Sequence, residues 1–533
     1  MRGFFAKGET MFLRRLEIIG FRGINRLSMT LQPNMVLIGE NAWGKTSLFD
    51  ALSLIFNHQQ TLYRFCESDF HIAQKDGQRT KQITLLFTFA EHFPNERHDA
   101  HNYLFQRFFI ANGAKDYQIY LRVNGSISAD NQIHTDYAFL DQDGREIQTA
   151  KVSELVKALI ARFPIYSIRH VALHDSRHLV DLSQFDPQIR QQPYYDKIQA
   201  FSLLIQYYYF NHEARQFVGS KLQDLSALWG KVKELCYLLR LGDRELRQRL
   251  FRLFSQLFVA EGALMPVDGI HPIVLFEDPD ARLHPRLVAI MWELISYLPL
   301  QRITTTNSVE LLSQVALHEI CRLVRTSNEI KTYRLSRHSL SKQALRRLTF
   351  HIHYNRSLAL FASGWILVEG ETEVWLLSAL AEQMGLNLEL EGIKIVEFAQ
   401  CGLSPLIKYV KAMGIEWHVL ADGDSAGKKY ADTVRSLLDK NETLLTRLTL
   451  LPKRDIEHFL YFSGFEHVFV RLARWQDLSS SRPASRIIQQ AIKKSSKPDL
   501  AIALAGEIER QGKHAIPILL QRMFRKVLNL TKG

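Results

Sequence analysis

The chain has 533 residues, too many for one hydrophobic core, and at about 150 residues per domain it divides into roughly three. Apolar residues make up 46% and charged residues 23%, which excludes disorder as the dominant state. Lysine and arginine (67) exceed aspartate and glutamate (55) by 12, a balance that suits a polyanionic partner without choosing among DNA, RNA and an anionic membrane.

The first residues, MRGFFAKGET, are weakly basic and lack the apolar run and cleavage site of a signal peptide, and Met11 is a plausible natural start. Short strands are expected at Leu16–Ile19, Leu27–Leu31 and Met35–Ile38, followed by helical spacing through Leu48, Ala51, Leu52 and Ile55. Strands resume at Ile83–Phe89 and Tyr117–Val123, the second leading to a turn at Asn124-Gly125. From about 150 to 262 the pattern reads as helical, then strands return at Ile273–Phe276 and Arg302–Thr305. Beyond Arg356, strands at Trp365–Val368, Ile393–Phe398 and Trp417–Ala421 alternate with helices at Thr372–Met384, Leu403–Met413 and Ala426–Leu438, the signature of a parallel α/β sheet. The longest uncharged stretch, near Ile198–His212, is about fifteen residues and contains polar side chains, too short and too polar to span a bilayer. A cytoplasmic location follows as the expectation. Cys66, Cys236, Cys321 and Cys401 lie far apart with no paired spacing, which argues against a zinc site or a disulfide framework.

Gly39-Glu40-Asn41-Ala42-Trp43-Gly44-Lys45-Thr46 satisfies G-x-x-x-x-G-K-[ST] between an apolar strand and a helix. Backbone amides between Gly39 and Gly44 can turn toward phosphate oxygens, Lys45 supplies a charge near the β and γ phosphates, and Thr46 offers a hydroxyl to Mg²⁺. A P-loop needs an acidic partner on a neighbouring strand, and Ile273–Phe276 ends in Glu277 and Asp278. Glu277 is expected to hold Mg²⁺, and Asp278 to orient or deprotonate the attacking water. A third strand, running into Thr304-Thr305-Thr306-Asn307, presents Asn307 to the γ-phosphate. The more than two hundred residues between P-loop and acidic strand suit an ABC-type ATPase split by a large insertion.

A second acidic centre lies downstream. Glu369 ends the strand Ile366–Val368, with Glu373 one helical turn beyond; Asp422 and Asp424 follow the strand Val419–Ala421, with Gly423 allowing a tight turn between them. In a parallel sheet both strand tips lie on one edge. Four carboxylates there raise one another's pKa unless cations intervene, and hard oxygen ligands select Mg²⁺ or Mn²⁺. Two such ions stabilise the attacking and leaving oxygens of a phosphodiester cleavage. Glu457, after the strand Leu448–Leu451, can join the cluster, and Lys497 is a candidate for neutralising charge in the transition state.

The ordered set of Gly39–Ser47, Glu277–Pro285 (EDPDARLHP), Thr305–Leu312 (TTNSVELL), Val368–Glu373 (VEGETE) and Ala421–Gly427 (ADGDSAG) resembles the OLD (overcoming lysogenization defect) family. Those are nucleases in which an ABC-type ATPase is fused to a Toprim domain. The resemblance implies an ATPase N-terminal lobe over residues 1–150, a helical dimerisation insertion over 151–262, an ATPase C-terminal lobe over 263–357 and a Toprim nuclease domain over 358–533. It implies that Gly39, Asn41, Gly44, Lys45, Thr46, Ser47, Glu277 and Asn307 bind ATP and Mg²⁺, with Asp278 catalytic. Likewise Glu369, Glu373, Asp422, Asp424 and Glu457 hold nuclease metals, with Lys497 assisting cleavage. Expected partners are DNA, a second copy of the chain and a helicase. The sequence departs from the family at Asn307, where many members have His, at Asp278, where Glu is usual, and in lacking an LSGGQ-like signature, for which Asp224-Leu225-Ser226-Ala227 is the nearest approach. ATP binding is therefore expected more firmly than rapid hydrolysis. A RecF/SMC-like ATPase without nuclease activity is the alternative, and a topoisomerase or primase a more distant one.

Overall fold

The computed structural model describes residues 11–57, 59–73, 77–91, 95–98, 100–113, 116–169, 191, 194–209, 225–243, 245–247, 249–250, 271–281, 283–297, 300–355, 357–475 and 483–532. They form two compact units, one running to Thr332 and the other beginning at Tyr333.

The first unit is built on strands β1 (Phe12–Phe21), β2 (Ile24–Thr30), β3 (Asn34–Ile38), β4 (Gln82–Ala90), β5 (Ile110–Ala111), β6 (Tyr117–Ile127), β7 (Ile133–Leu140), β8 (Ile165–Arg169), β9 (Ile273–Glu277), β10 (Gln301–Thr305), β11 (Ile320–Arg325) and β12 (Ile330–Arg334). They join one sheet in the order β5-β6-β4-β1-β2-β12-β11-β3-β10-β9-β8, with β7 on β6. The pairs β1–β2, β1–β4, β4–β6 and β6–β7 are antiparallel. In β1, buried Leu16 and Ile18 alternate with Glu17 and the exposed Ile19, as expected where one face meets water. By contrast β11, β3, β10, β9 and β8 are parallel, and β3, β10 and β9 read as nearly continuous buried runs. On β9, Ile273 and Leu275 face one core while Val274 and Phe276 face a second, shared with Phe201, Leu204, Leu235 and Leu239 from the helices Tyr195–Tyr209 and Leu225–Arg240. The inserted helices thus cover the second face of the parallel strands, which accounts for the loss of polar alternation there.

Three readings of the sequence need correction. The stretch after residue 150 is not wholly helical: β8 pairs in parallel with β9 from Ile165↔Ile273 to Arg169↔Glu277. No turn forms at Asn124-Gly125, because β6 stays paired with β7 from Tyr120↔Leu140 to Ile127↔Ile133, and the chain turns at Ser128–Gln132 instead. The acidic strand β9 is not the immediate neighbour of the P-loop strand, since the fully buried β10 lies between them. Of the tetrapeptide Asp224-Leu225-Ser226-Ala227, the nearest approach to a signature motif, Asp224 lies outside the described residues, and the rest opens the helix Leu225–Arg240.

The second unit holds a parallel sheet of β13 (Gly364–Val368), β14 (Ile393–Glu397), β15 (Glu416–Ala421) and β16 (Leu448–Leu450) in the order β14-β13-β15-β16. Ile366 and Val368 pack with Leu376, Leu377 and Leu380 of the helix Glu371–Gln383 and with Leu504, Met523 and Phe524 of the two C-terminal helices. On the other face of β13, Trp365 lies against Tyr409 and donates to the Ala359 carbonyl at 2.8 Å. All four cysteines are free. Among the described residues no helix is long and apolar enough to cross a membrane.

Candidate functional site

The first unit places the P-loop between β3 and the helix Lys45–Ile55, which is seated by buried Leu48, Phe49, Leu52 and Ile55. Gly44 caps this helix at φ 89, and a Cβ there would lie 2.6 Å from Ile330 Cδ1, so both conformation and space demand glycine. Lys45 Nζ donates to the Gly39 carbonyl at 2.7 Å and to Asn307 Oδ1 at 2.9 Å. Thr46 Oγ1 donates to Glu277 Oε1 at 3.1 Å, across the width of β10. Partial burial lowers the Lys45 pKa, opposed by the negative charges of Asp278 and Glu277. Lys45, Thr46, Glu277, Asp278 and Asn307 therefore converge on the carboxyl edge of the parallel strands. Asn41 is exposed on the loop, whereas the Ser47 hydroxyl turns away and accepts from the Gly23 amide at 3.2 Å.

Asp278 adopts φ 46, in the left-handed region, with its amide donating to the Thr305 carbonyl at 3.1 Å. Short Asp is among the few non-glycine side chains that visit this region with any frequency, which gives a local reason for Asp where Glu is usual. Two further residues escaped the sequence reading. Asp280 accepts from Thr306 Oγ1 at 2.8 Å, tying the loop after β9 to the loop that carries Asn307; burial raises its pKa. Arg325, at the end of β11, donates to the Ala42 carbonyl at 2.9 Å and braces the P-loop from the other side. Each contact joins residues separated by tens to hundreds of positions, which no local pattern reveals.

In the second unit, β13 and β15 are parallel neighbours, so Glu369 and Asp422 leave the sheet side by side. Glu373 lies in the first turn of the helix Glu371–Gln383. Asp424 caps the helix Ser425–Ser436, its Oδ1 accepting from the Gly427 amide at 2.8 Å, so one oxygen already serves the backbone. Gly423 has no left-handed φ. Its need for glycine is one of space, since a Cβ would lie 2.4 Å from the Lys453 carbonyl oxygen and 2.5 Å from that of Leu451. Glu457, on the short helix Ile456–Leu460, is buried and ion-paired with Lys497, Nζ to Oε1 at 3.2 Å.

The charges of this edge act on one another. Burial, then Glu373, Glu369, Asp455 and Glu457, push the Asp422 carboxyl up to about 8. Burial, then Glu457 and Glu369, push Glu373 up to about 7 against the relief given by Lys497. Glu369 is raised by burial and Asp424. Burial opposes the charge on Lys497, but Glu457 and Glu373 outweigh it and hold the ammonium above its ordinary value. Carboxylates left protonated near neutrality for want of positive charge are a donor set that fits a divalent cation with a preference for oxygen. Among the described residues no three acidic, histidine or cysteine side chains close into a finished cage. Glu369, Glu373, Asp422, Asp424 and Glu457 thus share an edge without being drawn into ligand geometry.

Sequence reasoning missed a second contact chain at this edge. Asp455 Oδ1 lies 2.6 Å from His458 Nδ1, and His458 Nε2 lies 3.3 Å from Ser485 Oγ. Asp455 also caps the helix Ile456–Leu460, so the chain fixes the segment that carries Glu457. Glu397, buried at the tip of β14 beside Val368, lies 3.9 Å from His351 Nε2.

Residues 11–359 match the family described as "protein of unknown function (DUF2813)". Residues 360–424 match the "Overcoming lysogenization defect protein-like, TOPRIM domain", a span that includes Glu369, Glu373, Asp422 and Asp424 but ends before Glu457 and Lys497. The chain is 40% identical to the uncharacterized protein YbjD of Escherichia coli (strain K12), over 98% of this chain and the whole of that protein. Among solved structures it is similar to the C-terminal region of the Burkholderia pseudomallei OLD protein, at 20% identity over 32% of this chain and 99% of that one, with a TM-score of 0.28. It is also similar to the SMC head domain from Thermotoga maritima, at 11% identity over 61% of this chain and 99% of that one, with a TM-score of 0.31.

Proposed function

The chain belongs to the DUF2813 family and continues into an OLD-like Toprim domain, and from that premise we propose that it is a divalent-metal-dependent DNA endonuclease governed by an ABC-type ATP-binding unit. One observation carries the reading most directly. Neighbouring parallel strands deliver Glu369 and Asp422 to one edge, where burial and neighbouring negative charge raise the pKa of both carboxyl groups and positive charge would relieve them.

Glu369, Glu373, Asp422, Asp424 and Glu457 are the residues that would hold Mg²⁺ or Mn²⁺. Bound there, the cations would polarise the scissile phosphate and lower the pKa of a water. Lys497, held by Glu457, places a fixed positive charge beside the same edge, suited to the charge that builds on a phosphodiester under attack. In the nucleotide unit, the P-loop amides and Lys45 would take the phosphates, Thr46 and Glu277 the magnesium, and Asn307 the γ-phosphate end. Asn307 already shares the Lys45 ammonium, so nucleotide entry must rearrange this contact. Thr306, which precedes Asn307 and donates to Asp280, would then link occupancy to the loop after β9.

Cleavage of supercoiled plasmid by the whole protein with Mg²⁺ or Mn²⁺, with and without ATP, tests the reading beside Asp422→Ala and Glu369→Ala. Nicking that disappears in both variants supports the assignment. Unchanged nicking in the variants removes it, and DNA binding without cleavage under either metal favours a regulatory ATPase of RecF/SMC type.

A further inference from the structure

The segment between β16 and the helix Ile456–Leu460 runs directly against the turn that carries Asp422 and Asp424. The Gly423 amide donates to the Lys453 carbonyl at 3.0 Å. From that anchored backbone the Lys453 side chain reaches over Phe462, its ammonium 4.5 Å from the ring centroid. Phe462 is the misfit of its sequence. In Phe459-Leu460-Tyr461-Phe462-Ser463-Gly464-Phe465 the other large apolar side chains are buried, while Phe462 is 57% exposed. A π-helical turn over Tyr461–Phe465, interrupted by Gly464 at φ 108, sets this departure from helical spacing. Tyr461 braces the ring edge-on, at 5.3 Å between centroids.

A single exposed aromatic on a protein surface needs no special cause. Here, however, a cation lies over the exposed ring, and the cation's own backbone touches the carboxylate turn. Arg454 next to it is exposed, as are Lys428 and Lys429 in the helix that Asp424 caps. An acidic edge repels a polyanion, so basic side chains around it offset that repulsion and guide a phosphate backbone in. We propose that Phe462, with Lys453 and Arg454, is a docking platform for an unpaired DNA strand: one base stacks on the ring and the flanking phosphates take the two cations. Duplex bases hide their faces in the stack, whereas an unpaired base offers its face to any aromatic plane. The proposal rests on the nuclease reading of the Toprim domain and narrows its substrate to DNA with unpaired nucleotides near the cut.

The test is fluorescence anisotropy of the full-length protein with dye-labelled oligothymidine and with a duplex of equal length, in EDTA so that no cleavage occurs. Wild type should prefer the single strand. Phe462→Ala should lose on the order of tenfold in single-strand affinity, the scale of one base–aromatic stack, with little change on duplex. Phe462→Leu, which keeps apolar bulk without a π-face, should fall equally, and Phe462→Trp should recover. Lys453→Ala with Arg454→Ala should weaken both ligands and flatten the salt dependence. Equal affinities for Phe462→Ala and wild type, equal losses on both ligands, or a wild type that prefers duplex would each overturn the platform. Plasmid nicking in Mg²⁺ reads the nuclease assignment separately: nicking without Phe462-dependent binding defeats only the platform, and the converse defeats only the nuclease.

Discussion

At the scale of single residues, Asp278 carries two demands at once: a carboxylate near the P-loop lysine and a backbone at φ 46. Asp278→Asn meets the second without the first, since Asn also visits the left-handed region readily. It should leave the thermal midpoint and ATP binding in place and slow hydrolysis on the order of a hundredfold, the usual worth of a general base. Asp278→Glu keeps the charge but suits the backbone less well and should cost about 1 kcal/mol of stability. A malachite-green phosphate assay and a urea titration separate the two. His418 makes the pH-dependent case. It is fully buried in β15, beside the Thr446 carbonyl and the Thr449 hydroxyl at 2.8 and 2.9 Å. Burial, with the positive charges of Lys526 and Arg447, lowers its pKa from 6.5 to about 4. The unfolded chain therefore takes up a proton before the folded one does. The contribution is whole above about pH 6.5 and lost as the pH falls toward 4, amounting to about 3 kcal/mol. Urea midpoints measured from pH 7 down to pH 4 should fall more steeply for wild type than for His418→Gln.

At the scale of elements, what could be read beforehand depended on whether the physical signal was local. The P-loop strand, turn and helix are contiguous, and the β13 and β15 runs are buried on both faces, so composition alone marks them. β7 gives no such signal because its first half is only partly buried, and β8 is five residues long at the edge of a helical region. At Asn124-Gly125 a strong turn dipeptide yields to the paired register of β6 with β7. The site shows the same division. Glu369, Glu373, Asp422 and Asp424 stand in two short motifs, but the links of Asp455 through His458 to Ser485, and of Asp280 to Thr306, exist only once the chain has folded. The helix Glu371–Gln383 tests how far the carboxylate edge depends on core packing. Leu380 is fully buried on its inner face, so Leu380→Ala should cost about 2–5 kcal/mol by lost transfer energy and cavity formation. A urea titration with an unchanged m-value would confirm that stability alone is altered, whereas a loss below about 1 kcal/mol would show that the helix is not held by this core.

For the whole molecule, the division at Thr332 and Tyr333 separates two sheets, each with its own buried cluster. Units with separate cores unfold in separate steps unless a large apolar interface joins them. Calorimetry should therefore resolve two transitions, and ligands should assign them. If the P-loop takes ATP as proposed, the nucleotide engages the native unit and not the unfolded chain, so at a hundredfold excess over its Kd it should stabilise the first unit by about 2.7 kcal/mol and leave the other transition in place. Lys45→Ala removes the ammonium that bridges Gly39 and Asn307 and should abolish that shift. Mn²⁺ should move only the complementary transition, and Asp422→Ala should cancel its effect. If one ligand moves both transitions together, the two sites are coupled through the folded state, and the proposed control of the Toprim edge by nucleotide gains a thermodynamic basis.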